Sequence, residues 1–145
     1  MCEILFRGKR KDNGEWIDGY YVVQSNHACF AHELKYAHFI FKDVFLDFNL
    51  GGLQKFEVIP ETVGRYTGVT DKSGKKIFEG DIVIWRFSPC AVKWDNDNAC
   101  YALYQNSITK VSGFNADTMK LLEVISNIHD NPELLKGDND GDKSR

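Results

Sequence analysis

The sequence is poor in the features that usually announce a chemistry. Its four cysteines, Cys2, Cys29, Cys90 and Cys100, form no CxxC pair, which excludes a zinc ribbon and a thioredoxin-type motif. No GxxxxGK[ST] or GxGxxG cradle for phosphates is present. A GxSxG elbow and an HExxH helix are also missing. Long apolar runs are lacking as well. The densest stretch, Phe39 to Leu50, is broken by Lys42, Asp43, Asp47 and Asn49, far short of the ~18 uncharged residues of a spanning helix. Near the start only Ile4 to Phe6 is apolar, and Arg7 comes after that run rather than before it, so no signal peptide is expected. That reading places the protein in the cytoplasm, with its four cysteines reduced. Charge of one sign does not dominate either. Lys and Arg number 18 against 21 Asp and Glu, a net charge of −3, so the whole molecule exerts no pull on nucleic acid.

The composition that is present is globular, 43% hydrophobic and 13% aromatic, with three prolines. At about 100–200 residues per domain, 145 residues make one domain. A chain of this size buries roughly two-thirds of its unfolded surface and needs no metal or disulfide to hold a core. Glycine-containing turns punctuate strand-type runs. Glu3 to Arg7 and Trp16 to Gln24 read as strands around Asn13-Gly14, a strong hairpin signal. Residues 27–31 and 36–42 read as a further pair, with Gly51-Gly52 ending that region and a short strand at Phe56 to Ile59. Arg65 to Val69 and Lys76 to Phe78 flank Asp71-Lys72-Ser73-Gly74. Ile82 to Phe87, Ala91 to Trp94, Cys100 to Tyr104 and Glu123 to Ile128 complete the strands. Asn115 or Asp117 would cap a short helical turn, and Asn131-Pro132 would start another. Residues 136–145 contain no apolar side chain and read as a disordered tail. The spacing of Gly8 and Gly14 matches that of Gly68 and Gly74, which suggests a duplicated hairpin.

Residue type marks the candidate sites. Arg7, Lys9, Arg10 and Lys11, with Lys72, Lys75 and Lys76, are cations in glycine turns and would serve as nucleic-acid contacts if they shared a face. Asp12, Glu15, Asp18, Asp71 and Glu79 sit in the same turns and oppose that role, so nucleic-acid binding is disfavoured. His27, Cys29, His32 and His38 are a weak metal set: strand alternation puts His27 and Cys29 on one face, but the spacing fits no known zinc module. No metal and no cofactor is therefore expected. No local signature selects a Cys–His pair, and His129-Asp130 would point to opposite faces of a strand. The chain is thus expected not to be an enzyme. Gly14, Gly74, Gly80 and Asp81 read as structural turn residues, glycine for positive φ and Asp81 for a side-chain bond to the backbone. Phe39, Phe41, Phe45 and Phe48 lie in a segment apolar on both faces, which reads as core or contact surface.

Five strings in order carry a resemblance. They are Ile4-Leu5-Phe6-Arg7-Gly8-Lys9, Trp16-Ile17-Asp18-Gly19-Tyr20, the run from Val58 to Gly68, the run from Asp71 to Val83, and the run from Glu123 to Leu135. Together they resemble the YopX family of phage and prophage proteins. The resemblance implies a phage-related protein with no catalytic residues to carry over, and self-association, which would suit the apolar segment at 39–50. The fold expected is mainly β, with short antiparallel strands and glycine hairpins. An N-terminal β-subdomain at 1–60 would precede an SH3-like barrel within 61–135. The function expected is that of a non-enzymatic accessory protein acting as a homo-oligomer or on a protein partner, outside any membrane.

Overall fold

A computed structural model describes residues 3–26, 35–46 and 50–135. The chain forms two compact units, Met1–Arg65 and Tyr66–Arg145. Both are built from antiparallel strands, and the fold is mainly β.

In the first unit, β1 (Phe6–Lys9), β2 (Trp16–Asn26), β3 (Lys35–Leu46) and β4 (Leu50–Glu57) lie in the order β4-β3-β2-β1. β1 also pairs with Gly64 and Arg65, the start of β5 (Gly64–Thr70). The β1–β2 turn uses Gly14 at φ +73°, and the Asn13 side chain accepts the Glu15 N–H. β2 and β3 are long, and seven consecutive residue pairs join them, from Tyr20↔Phe41 to Asn26↔Lys35. Gly19 is required where they meet, because a Cβ there would run into the carbonyl oxygen of Phe41. Gly51 and Gly52 do not end the region as expected. They sit inside β4, opposite Phe45 and Val44, because the register of the longer β3 carries them into the ladder.

The second unit continues β5 and adds β6 (Lys76–Phe78), then a five-stranded sheet. That sheet has β7 (Asp81–Trp85), β8 (Ser88–Asp95), β9 (Cys100–Tyr104), β10 (Lys110–Gly113) and β11 (Glu123–Asn127), in the order β10-β9-β8-β7-β11. Ile77, Val83, Cys90, Val92, Leu103, Met119 and Leu122 pack into one buried cluster. Met119 comes from α1 (Ala116–Met119), whose first turn is capped by Asn115 accepting the Thr118 N–H at 2.8 Å. The second helical start falls where expected, as a 3-10 turn over Pro132–Leu134 with Asn131 at the N-cap position, although the Asn131 side chain makes no capping bond.

The expected SH3-like barrel is not formed, because the sheet is open with β10 and β11 as its edges. β10 is short, with a register shift between Lys110 and Ser112, and α1 intervenes before β11. The sequence also did not predict β10, or the point at which β7 stops. β7 ends at Trp85, and Trp85 pairs directly with Ser88 across a two-residue turn of Arg86 and Phe87. Both turn residues have positive φ, 46° and 65°.

Candidate interaction surface

In an antiparallel ladder, directly paired residues share a face and successive residues along a strand change faces. The register therefore sorts the first unit's sheet into two sides. One side carries Tyr21, His38, Ile40 and Phe56. This side is covered around Ile40, Tyr21 and Phe56, while Val23 and Tyr36, which the register places on the same side, are exposed. Ile40 is fully buried, Phe6 packs on Tyr21 at 5.4 Å, and the Arg10 guanidinium lies over the Phe56 ring at 4.6 Å. Tyr21 Oη is hydrogen-bonded to His38 Nδ1, and burial pushes the Tyr21 hydroxyl pKa up.

The other side carries the pairs Tyr20↔Phe41 and Val22↔Phe39, with Leu53 and Lys55 on the neighbouring β4. Nothing in the described chain covers it. Tyr20 and Leu53 are each 58% exposed, Val22 is exposed, and Phe39 and Phe41 are half-buried. The Lys55 ammonium rests over the Phe39 ring at 4.5 Å. A shallow cleft of about 280 Å³ opens beside Phe39, lined by Gln24, Ser25 and Ala37. Asp43 and Lys55, both exposed, supply opposite charges on this same side. The arrangement can bury apolar area against a partner; it brings no nucleophile, acid or base together.

Of the expected self-association residues, Phe39 and Phe41 lie on this surface, Phe45 lies in β3, and Phe48 falls outside the described residues. Tyr20, Val22 and Leu53 were not singled out by the sequence. Their signal, alternation along β2 and β4, was present, but which side stays uncovered depends on the topology.

The seven candidate nucleic-acid cations have local partners. Arg10 is bonded to Asp12 at 2.6 Å, Lys11 to Glu57 at 3.0 Å, and Lys72 to Glu123 at 3.1 Å. Arg7 and Lys9 lie over the Trp16 ring, and Lys76 lies over Tyr66. Lys75 faces Asp71. Burial raises the Asp71 pKa, but N–H bonds from Val124, Lys75 and Ser73 outweigh it and hold the carboxyl below its ordinary value.

His27, Cys29 and His32 fall outside the described residues, and His38 is engaged by Tyr21. Among the described residues no cluster of three or more His, Cys, Asp or Glu is placed to hold a metal. Cys90 is buried, its thiol donating to the Ser88 carbonyl oxygen, and Cys100 is half-buried. Cys2 and the segment 136–145 lie outside the described residues.

The turn residues occupy the left-handed backbone region or bond to it. Gly74 and Gly80 have φ +84° and +90°. Asp81 is buried and accepts the Phe78 N–H at 2.8 Å. Gly80 bonds Val92 O through its N–H and receives the Ile128 N–H on its carbonyl. The runs around Gly80-Asp81 and Asn127 to Asp130, distant in sequence, thus meet through the Asp81↔Asn127 pair. The suggested duplication is not reproduced at its first glycine. Gly68 has φ +88°, whereas Gly8 lies within β1, against Val58, and is not among the positive-φ glycines.

A mainly β protein of two open-sheeted units, with an apolar sheet side that the described residues leave exposed, is the class these features define. Residues 5–136 match the family described as YopX protein, and the chain belongs to that family. A solved structure, the crystal structure of protein EF1440 from Enterococcus faecalis, is similar in fold. It is 19% identical, with a TM-score of 0.55, over 94% of this chain and 100% of that one. No curated protein matches the chain.

Proposed function

We propose that this protein is a non-enzymatic accessory protein of a phage or prophage that works in the cytoplasm by assembling with copies of itself. The observation that carries the reading is the uncovered side of the β2–β3–β4 sheet, where Tyr20↔Phe41 and Val22↔Phe39 stand as cross-strand pairs beside Leu53. Apolar side chains in a contiguous stripe mark an interaction site more than scattered ones do. The occupant that fits is a second copy. Asp43 and Lys55 lie on the same side, and a two-fold axis would set the Asp43 of each copy near the Lys55 of the other.

The nucleic-acid reading draws less support, because Arg10 is paired with Asp12 in its own turn and Lys11 and Lys72 are paired with Glu57 and Glu123 on other strands. Light scattering after size exclusion tests the proposal. The parent is expected at a multiple of 16.6 kDa, and Tyr20→Thr with Phe41→Thr is expected to lower the mass while the protein stays folded. Threonine keeps the strand preference while removing the aromatic area. A parent that runs at 16.6 kDa at every concentration would refute self-association.

A further inference from the structure

The β7–β8 hairpin is closed by the wrong residues for its geometry. A two-residue hairpin turn with positive φ at both central positions is ordinarily filled by Asn-Gly, which adopts that backbone readily. Here Arg86 and Phe87 occupy it, at φ 46° and 65°. Bulky side chains are outliers in this region; Arg86 gains a contact with the Trp85 ring there, and the outlier without such a contact, which points to a functional site, is Phe87. Phe87 is 100% exposed, so its ring recovers nothing within the chain.

A second hydrophobe is exposed in the turn after β9. The turn after β9 is fixed by Asn106, whose Oδ1 accepts the Ile108 and Thr109 N–H groups at 3.1 and 2.7 Å. Ile108 is left 76% exposed. Between the two turns lies a cleft of about 200 Å³, lined by Trp85, Arg86, Ser88, Cys90, Gln105 and Val111. The cleft is shallow and open on its outer side, so a side chain from outside could rest in it.

We propose that Phe87 is an anchor that enters this same cleft on a second copy of the chain. Knob and hole are neighbours on one hairpin, so a two-fold axis through the tip fills both holes in one step, as an isologous contact requires. Trp85 and Val111 give the cleft an apolar patch beside the more polar Arg86, Ser88 and Gln105. The Arg86 guanidinium already lies over the Trp85 ring at 5.1 Å, and an entering ring would meet that cation, the indole and Val111. The inference rests on the self-association reading and adds to it a contact in the other unit. A chain with two separate self-contacts builds assemblies larger than a dimer.

The test is the double variant Arg86→Asn, Phe87→Gly, compared with the parent and with the Tyr20→Thr, Phe41→Thr variant by light scattering and thermal melting. A turn that merely holds the hairpin would be improved by Asn-Gly. The expected result is therefore a melting temperature equal to or above that of the parent, together with a mass at least twofold lower. Phe87→Asn, which keeps a residue tolerant of the left-handed backbone, is expected to lower the mass in the same way and covers any folding defect of the double variant. If the parent is an oligomer that the sheet variant reduces and neither tip variant does, the Phe87 contact is wrong and the sheet reading stands. A monomeric parent overturns both.

Discussion

The β2–β3–β4 sheet and the β7–β8–β9 sheet are both rich in aromatic and branched side chains, yet they use them differently. In the first unit the described buried apolar residues are Leu5, Ile40 and Val58, while Tyr20, Val22, Val23, Tyr36 and Leu53 are exposed. In the second, Ile77, Val83, Cys90, Val92 and Leu103 close around Met119 and Leu122. The difference lies in the covering segment. The second unit has α1 and Leu122 to plug its sheet, and the described first unit places no helix against its exposed side. Apolar content alone thus does not separate a core from a contact surface; the presence of a covering element does.

That contrast is sharpest in stability. Leu103→Ala is expected to destabilise by about 2–5 kcal/mol, since it empties a fully buried position. Leu53→Ala, on the open side, is expected to stay within about 0.5 kcal/mol of the parent. Urea midpoints measured on dilute protein, where association is minimal, would decide it. Equal losses at the two sites would mean that the open side is a core after all.

Next in size is Gly19→Ala, expected to cost about 1–3 kcal/mol because the added Cβ must push β3 away. It is a point where the first unit is as tightly specified as the second. A neutral result in a denaturant melt would show that β2 and β3 can separate at little cost.

The two similar-looking hairpin turns offer a comparison on a smaller scale. Asp71 accepts three backbone N–H groups, from Ser73, Lys75 and Val124, so Asp71→Ala is expected to cost about 1–3 kcal/mol. Asp12 is exposed, and its main partner is the Arg10 side chain, so Asp12→Ala should leave the melting curve unmoved. If both substitutions had the same effect, the turns would be equivalent and the duplication reading would gain.

The smallest effect expected is an acid dependence at Asp95 in the second unit. Asn98 and Lys110 donate to the Asp95 carboxyl and hold it at about 2. A carboxyl depressed in the folded state contributes stability that is complete above its unfolded value near 3.8 and fades as pH falls through about 2. The stability difference between the parent and Asp95→Asn is therefore expected to shrink between about pH 4 and pH 2. A difference that is constant across that window would remove the carboxylate from the account.

Much of this architecture was legible in the residues. Gly14, Gly74 and Gly80 announced their turns because a positive φ selects glycine, and the strands between them alternate visibly. The features missed are ones where a distant partner overrides the local signal. Gly51-Gly52 looks like a stop, but β3 is long enough to hold both glycines in its ladder. β10 is a mostly exposed edge strand, so Lys110 to Gly113 shows little apolar pattern. Arg86-Phe87 carries no turn chemistry at all, and only the Trp85↔Ser88 pairing reveals it. For the candidate surface, the sequence marked Phe39 and Phe41, while Tyr20, Val22 and Leu53 became apparent only once the ladder put them on the same side.

The central claim is that the first unit's open side is covered by another copy while the second unit's core stands alone. Hydrogen–deuterium exchange at a low and a high protein concentration tests it most directly. Peptides spanning Tyr20 to Gln24 and Ala37 to Phe41 are expected to gain protection as concentration rises, while those spanning Val92 to Leu103 stay unchanged. Exchange in both regions that is independent of concentration would contradict the account.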